Sequence, residues 1–368
     1  MMNEKKIRVL IVEDTLVGQG LLKGILAEDP RFEVIGLAQN GKLAVDFVAK
    51  YLPDVVSMDI YMPVMDGVEA TRLIMRIAPV PIVIVSSFYN TSEIKMSFSI
   101  LEAGALTILP RPYGPGHPEF TRTARNYRNT LKMMSEVKVF ARRTSSFPDA
   151  SDHDRSRKVS QTNPSAPLNS GSPRNGMVKP GALEKYKIIA IGASAGGPIA
   201  TQSILQGLQK TIPVPILIVQ HIDSNFAEGY CDWLNASSNL PVHIASNGMQ
   251  MLPGHVYLPP GDLHLGLLRE GVIAVSNNPP EKGLRPAVSF LFKSVNMVYG
   301  KHSICILLSG MGADGATELK TLHDAGALTI AQDAQTALVH GMPGEAIRLG
   351  GASRILSPNE IVSEISKI

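Results

Sequence analysis

Three residues of complementary chemistry stand just beyond apolar runs. Ser194 follows KIIAIGA, His221 follows VPILIVQ, and Asp314 follows SICILLSGMGA. A serine hydroxyl attacks a carbonyl when a base removes its proton. An imidazole serves as that base when an acid fixes its tautomer and stabilises the imidazolium. Gly192-Ala193-Ser194-Ala195-Gly196 also fits G-x-S-x-G, the strand-to-helix turn that exposes a nucleophile. Small neighbours are needed there because the turn crowds adjacent side chains. The free N–H groups of the helix that follows can bind an oxyanion. The chain order Ser, His, Asp differs from the Ser, Asp, His order of α/β-hydrolases, although the geometry recurs on unrelated folds.

A second reading of the same region stays open at this point. Gly310-x-Gly312-x-x-Gly315 follows an apolar run and precedes a helical pattern, and Asp333 ends the next apolar run. That is the local pattern of a dinucleotide site. A lone histidine is also more often a core or capping residue than a base. The other histidines have no C-x-x-C or H-E-x-x-H partner, so no zinc is assigned.

A different chemistry gathers near the N-terminus. Glu13 and Asp14 follow IRVLIV, and Asp59 follows VVSM. Ser86 and Arg111 follow two further apolar runs. Clustered carboxylates repel unless a cation neutralises them, and oxygen ligands suit Mg²⁺. A hydroxyl and a cation beside them would serve phosphoryl oxygens. Taken singly, each acid reads as a solvated loop end.

Both sets need elements that bring strand ends to one edge. Strands are predicted at 7–12, 32–38, 55–58, 80–85 and 107–109, alternating with helices at 16–26, 43–51, 68–77 and 92–103. The continuous apolar strands imply a parallel sheet covered on both faces. A helix follows His117, with Phe120, Ala124, Tyr127, Leu131 and Met134 on one face. Its Arg122, Arg125, Arg128 and Lys132 read as a solvated face.

Residues 143–182 are rich in Ser, Pro, Asn, Asp and Arg and read as a flexible linker. Strands then resume at 187–191, 214–220, 242–245, 255–258, 272–275, 303–308 and 327–331, with helices at 198–209, 226–236, 286–299 and 315–325. The predicted organisation is 1–142, a linker at 143–182, and a second domain at 183–368. The fold class is α/β, with two doubly wound, mainly parallel-sheet domains. In such sheets ligands sit beyond the carboxyl ends of the strands, where all the residues above fall.

The 368 residues suit two domains. A net charge of +3 is too small to make nucleic acid or a membrane the main partner. Cys231 and Cys305 form no disulfide framework, so a reducing compartment fits. MMNEKKIRVLIVED lacks the features of a signal peptide, and no run is long enough for a membrane helix. A cytoplasmic protein without direct membrane insertion is expected.

The ordered set Glu13-Asp14, Asp59-x-x-Met62-Pro63-x-x-Asp66-Gly67, Ser86 and Arg111-Pro112 resembles the receiver domain of two-component response regulators, over residues 5 to about 115. The resemblance implies a flavodoxin-like fold and a histidine kinase as phosphodonor. It makes Asp59 the phosphoryl acceptor. Glu13, Asp14, Asp59 and the Tyr61 main-chain carbonyl would hold Mg²⁺, and Ser86 and Arg111 would sense the phosphoryl group. Arg111 stands where that family has lysine, and its planar fork is not equivalent to an ammonium.

GASAGG, VQH, SGMGADGA and VHGMPGEAI resemble the chemotaxis protein-glutamate methylesterases over residues 186–366. This implies a Rossmann-like catalytic domain without a cofactor. Ser194 would be nucleophile, His221 general base and acid, and Asp314 the histidine's orienter. The Met311 and Ala195 N–H groups would form the oxyanion hole. The implied substrates are glutamate methyl esters and glutamines on the cytoplasmic helices of methyl-accepting chemoreceptors. The implied molecule is a monomer whose receiver covers the crevice until phosphorylated. Ala195 replaces a frequent threonine, and in RPAVSFLF Ala287 and Ser289 replace a serine and an aspartate. A dinucleotide-binding regulator and a non-enzymatic phospho-switch are the rival classes.

Overall fold

The computed structural model describes residues 5–86, 98–137, 139 and 185–368. The segment read as a linker lies outside the described residues, as do residues 92–97 of the helix expected at 92–103. Residues 98–103 are helical.

The N-terminal sheet contains β1 (Ile7–Val12), β2 (Phe32–Ala38), β3 (Val55–Met58), β4 (Ile82–Ser86) and β5 (Thr107–Pro110) in the order β2-β1-β3-β4-β5. Every pairing is parallel. Val9, Leu10, Ile11, Val55 and Val56 are fully buried, each burial contributing roughly 1.5–3 kcal/mol. Helices α1 (Leu16–Ala27), α2 (Gly41–Tyr51), α3 (Gly67–Ile77) and α4 (Phe120–Ser135) cover the sheet. The side chains of Thr15, Asn40 and Asp66 cap the first three by accepting N–H bonds from the first turn. Buried Tyr127 on α4 donates to Ser57 Oγ at 2.9 Å, which anchors the helix to β3.

The second sheet has seven parallel strands in the order β14-β13-β12-β6-β7-β9-β8. They are β6 (Ile188–Ala193), β7 (Ile216–Gln220), β8 (Val242–Ile244), β9 (Val256–Leu258), β12 (Ser303–Leu307), β13 (Leu328–Gln332) and β14 (Arg354–Leu356). Between β9 and β12 lies an antiparallel hairpin, β10 (His264–Arg269) and β11 (Val272–Ser276). The helices are α5 (Gly197–Gly207), α6 (Ala227–Ser237), α7 (Val288–Val298), α8 (Ala316–Asp324), α9 (Met342–Arg348) and α10 (Pro358–Ile365).

The strand order reverses at β6, which lies between β7 and β12. A crevice is expected at such a switch point. The apolar runs located most strands and helices to within a few residues. Strands β10 and β14 and helices α9 and α10 were not anticipated. Strand β14 is three residues long and largely exposed, and α9 opens on Met-Pro-Gly, so neither shows a clear period.

Candidate active site

Ser194, His221 and Asp314 follow β6, β7 and β12, three neighbouring strands around the switch point. The elbow is held from both sides. The Ser194 N–H donates to the Ser309 carbonyl at 2.9 Å, and Ser309 Oγ donates to the Ala195 carbonyl at 2.7 Å. The turn into α5 passes through Gly196 at φ 76°, in the left-handed region. A Cβ there would sit 2.5 Å from Leu338 and 2.7 Å from Ser309 Oγ, so both conformation and space demand glycine.

His221 Nε2 and Asp314 Oδ2 are 2.9 Å apart, with the aspartate buried. Nδ1 is then the ring nitrogen left to take a proton. Asp314 also receives the Val288 N–H on Oδ2 at 2.6 Å and the Ser289 N–H on Oδ1 at 3.1 Å. These are the first two N–H groups of α7, whose own N-cap, Ala287, contributes no side-chain bond. Asp314 therefore caps α7 from another strand. Burial alone would push its pKa up. The His221 bond and charge, with the bonds from Ser289 and Val288, outweigh burial and bring it down to about 2.

The same geometry accounts for the two replaced residues nearby. The Ala287 N–H faces His264 Nδ1 at 3.3 Å, and Ser289 gives its N–H to Asp314 while its Oγ donates to Glu281 at 2.6 Å. Met311 is exposed beside the crevice, and Ala195 is partly buried. Among the described residues, neither of their N–H groups has a hydrogen-bond partner. Asp333, weighed above as a ribose acid, accepts the N–H groups of Gln335 and Thr336 in its own turn.

The acids of the first sheet also meet. One carboxylate oxygen from each of Glu13, Asp14 and Asp59 lies within 4.8 Å of the others. Glu13 and Asp59 are buried and Asp14 is exposed. Arg111 Nη2 bridges Glu13 Oε2 at 2.5 Å and Asp59 Oδ2 at 2.8 Å. Its Nε is buried without a partner among the described residues. Burial, partly offset by Arg111 and reinforced by Glu13 and Asp14, raises the Asp59 pKa to about 6. An all-oxygen donor set with excess negative charge fits a hard divalent cation such as Mg²⁺. Tyr61 lies two residues beyond Asp59 on the loop into α3, and buried Ser86 ends β4.

The helical segment 98–103 and the start of β5 are packed over the crevice. Phe98 is fully buried among rings of the second domain, stacked on Trp233 at 5.1 Å, tilted on Tyr230 at 5.6 Å and edge-on to Phe226 at 6.5 Å. Glu102 Oε1 accepts from Gln202 Nε2 at 2.8 Å and from Trp233 Nε1 at 3.2 Å. Leu101, Leu106 and Ile108 face Ser194 and His221 across a cavity of about 30 Å³. That holds a water or two and no protein side chain. A larger cavity, about 530 Å³, lies between the edge bearing Ser86 and Arg111 and the Asp223–Asn225 loop that follows His221. Sequence reasoning singled out the candidate residues of both sets. It missed Phe98 and Glu102, which carry no motif, and Gln220, which looked like one more strand residue.

The fold and site thus define a receiver sheet closed over a serine–histidine–aspartate crevice. Residues 189–365 match the CheB methylesterase family, and residues 9–117 match the response regulator receiver domain. The chain is 46% identical to a Geobacter metallireducens protein-glutamate methylesterase/protein-glutamine glutaminase, covering 98% of this chain and 99% of that one. It is 44% identical to a Nitrosospira multiformis protein-glutamate methylesterase/protein-glutamine glutaminase, covering 98% and 97%. The catalytic domain of Thermotoga maritima CheB methylesterase matches with 34% identity and a TM-score of 0.47, covering 49% of this chain and 97% of that one. The chain belongs to the protein-glutamate methylesterase/protein-glutamine glutaminase family.

Proposed function

We propose that this protein demethylates glutamate γ-methyl esters, and deamidates glutamines, on the cytoplasmic helices of chemoreceptors in receptor adaptation. Family membership supports the reaction. The observation that carries the residue assignment is the 2.9 Å bond from His221 to buried Asp314, at the strand edge where the elbow presents Ser194. Ser194 Oγ attacks the ester carbonyl carbon while His221 Nδ1 takes its proton. The oxyanion is held by the N–H groups of Ala195 and Met311. The C–O bond to methoxide breaks, and the departing oxygen takes the proton from His221 to leave as methanol. Water then gives a proton to His221 and attacks the acyl-enzyme. Ser194 leaves with that proton and the glutamate carboxyl is free. On a side-chain amide the same steps release ammonia.

The receiver domain, residues 1–142, regulates the catalytic domain, residues 183–368, across the 143–182 linker. Asp59 accepts a phosphoryl group from a histidine kinase. Glu13, Asp14, Asp59 and the Tyr61 carbonyl would hold Mg²⁺, which when bound offsets the negative charge of phosphoryl oxygens. Ser86 and Arg111 contact the new oxygens. Arg111 cannot keep its bridge to Glu13 and Asp59 while serving them, so phosphorylation repacks the edge that faces Asp223–Asn225. That loosens the contact closing the crevice.

The decisive experiment is Ser194→Ala in the full chain, assayed by methanol release from methylated receptor membranes and ammonia release from receptor glutamines. Both rates should fall about 10³-fold or more. Activity equal to wild type would remove Ser194 from the mechanism. Tight NAD binding by calorimetry would favour the dinucleotide reading instead.

A further inference from the structure

Strands β6 and β7 pair as far as Ala193 and Gln220. Beyond that point one chain turns into the elbow and the other into the His221 loop. The His221 N–H still reaches the Ala193 carbonyl at 2.9 Å. After it, no backbone bond among the described residues continues the ladder between the nucleophile and the base.

The side chain of Gln220 spans this gap. Its Nε2 donates to the Ser194 carbonyl at 2.8 Å and to the His221 carbonyl at 3.0 Å. The two accepting carbonyls fix the amide orientation, since a flipped amide would set oxygen against both. Gln220 is buried, and its Oε1 has no partner among the described residues. Gly197 makes room for it, because a Cβ there would lie 2.4 Å from Oε1. A buried amide with half its capacity unused carries a desolvation cost that its two donated bonds offset.

We propose that Gln220 is a positioning residue. Its amide extends the β6–β7 ladder by one side-chain rung and sets the separation of Ser194 and His221. Its donated bonds go to main-chain carbonyls and not to the side chain of Ser194 or His221. A displacement of about 1 Å between nucleophile and base can cost about a hundredfold in rate, so one rung at this place controls turnover. This inference rests on the assignment of Ser194 and His221 as nucleophile and base.

The test uses the full chain with its receiver phosphorylated by a small acyl phosphate, and measures methanol release from methylated receptor membranes. Gln220→Met keeps length and apolar volume but removes both donated bonds. It should lower kcat about 10- to 100-fold with KM within about twofold, and slow the labelling of Ser194 by a fluorophosphonate in parallel. Gln220→Glu is near-isosteric and can donate only when protonated. Its kcat relative to wild type at the same pH should therefore rise as pH falls, a response that lost packing would not produce. A Met variant with kcat within twofold of wild type overturns the proposal. If the Met variant misfolds by circular dichroism, a pH-independent ratio for the Glu variant overturns it alone. Ser194→Ala in parallel separates the two levels. An active Ser194→Ala removes the triad assignment, whereas an inactive one beside a normal Gln220→Met removes only this inference.

Discussion

Two parallel sheets in this protein each place an acid and a basic group just beyond the strand ends, and the two acids have opposite electrostatics. Asp59 accepts from one shared arginine and from the Ile60 N–H at 2.7 Å, but burial with the Glu13 and Asp14 carboxylates beside it lifts its pKa to about 6. Asp314 is as deeply buried, yet a histidine and two helix N–H groups bring it down to about 2. The difference lies in the neighbours, two further carboxylates beside Asp59 against a histidine and a helix N-terminus beside Asp314. A carboxylate crowded by other carboxylates is suited to take on a cation and an electrophile. A carboxylate with its lone pairs filled is suited to stay ionised and hold an imidazole in place. Topology supplies the edge, and the neighbouring charges and donors decide what the edge does.

The largest test of this contrast is Asp314→Asn. It nearly preserves shape but cannot stabilise imidazolium, and its amide hydrogens oppose those of α7 and His221. Methanol release should fall about 10³- to 10⁴-fold, while the equivalent Asp59→Asn leaves unphosphorylated activity intact. Equal effects from the two variants would break the comparison.

The opposed shifts also predict opposed pH responses of stability, read as thermal midpoints in metal-free protein. Native Asp59 holds a proton that the unfolded chain has lost between pH 3.8 and about 6. Its contribution therefore falls as pH rises through that window, by about 3 kcal/mol at most, and Asp59→Asn should gain on wild type as pH rises. Asp314 contributes above pH 3.8 and loses about 2 kcal/mol as pH falls through to about 2. Asp314→Asn should therefore be less stable than wild type at pH 5 and approach it near pH 2. Slopes of the same sign would show that the neighbouring charges are not what separates the sites.

The smallest expected effect concerns the contact between the two regions. Truncating a buried aromatic costs about 3–5 kcal/mol, and part of that for Phe98 falls on the closed arrangement alone. Phe98→Ala should raise unphosphorylated activity about tenfold. Trp233 is the single tryptophan and stacks on Phe98, so its emission should shift to the red in the same variant. A variant with unchanged activity and emission would mean that the aromatic cage does not hold the crevice shut.

Much of this was legible in the chain itself. Branched apolar runs such as IRVLIV and ILIVQ located the buried strands because each is covered on both faces. Ser194, His221, Asp314, Asp59 and Arg111 stood out because reactive side chains directly followed those runs. The unanticipated β14 and α9 are too short to show a period and are held by their neighbours. Phe98, Glu102 and Gln220 were invisible for another reason. Their types are ordinary, and their partners lie far along the chain or are backbone carbonyls exposed only where two strands part.

By itself the sequence determined which chemistries are present, because motif spacing along a strand, turn and helix is a local property. It determined two α/β sheets for the same reason, since the apolar periods are local. Tertiary structure alone decided the state of each group. Which charges and donors surround a carboxylate depends on strands and helices brought from elsewhere, as Glu13 and Arg111 are brought to Asp59 and α7 to Asp314. Whether the serine meets solvent depends on a second sheet packed across it. Both are set by long-range packing and desolvation, which no local pattern encodes.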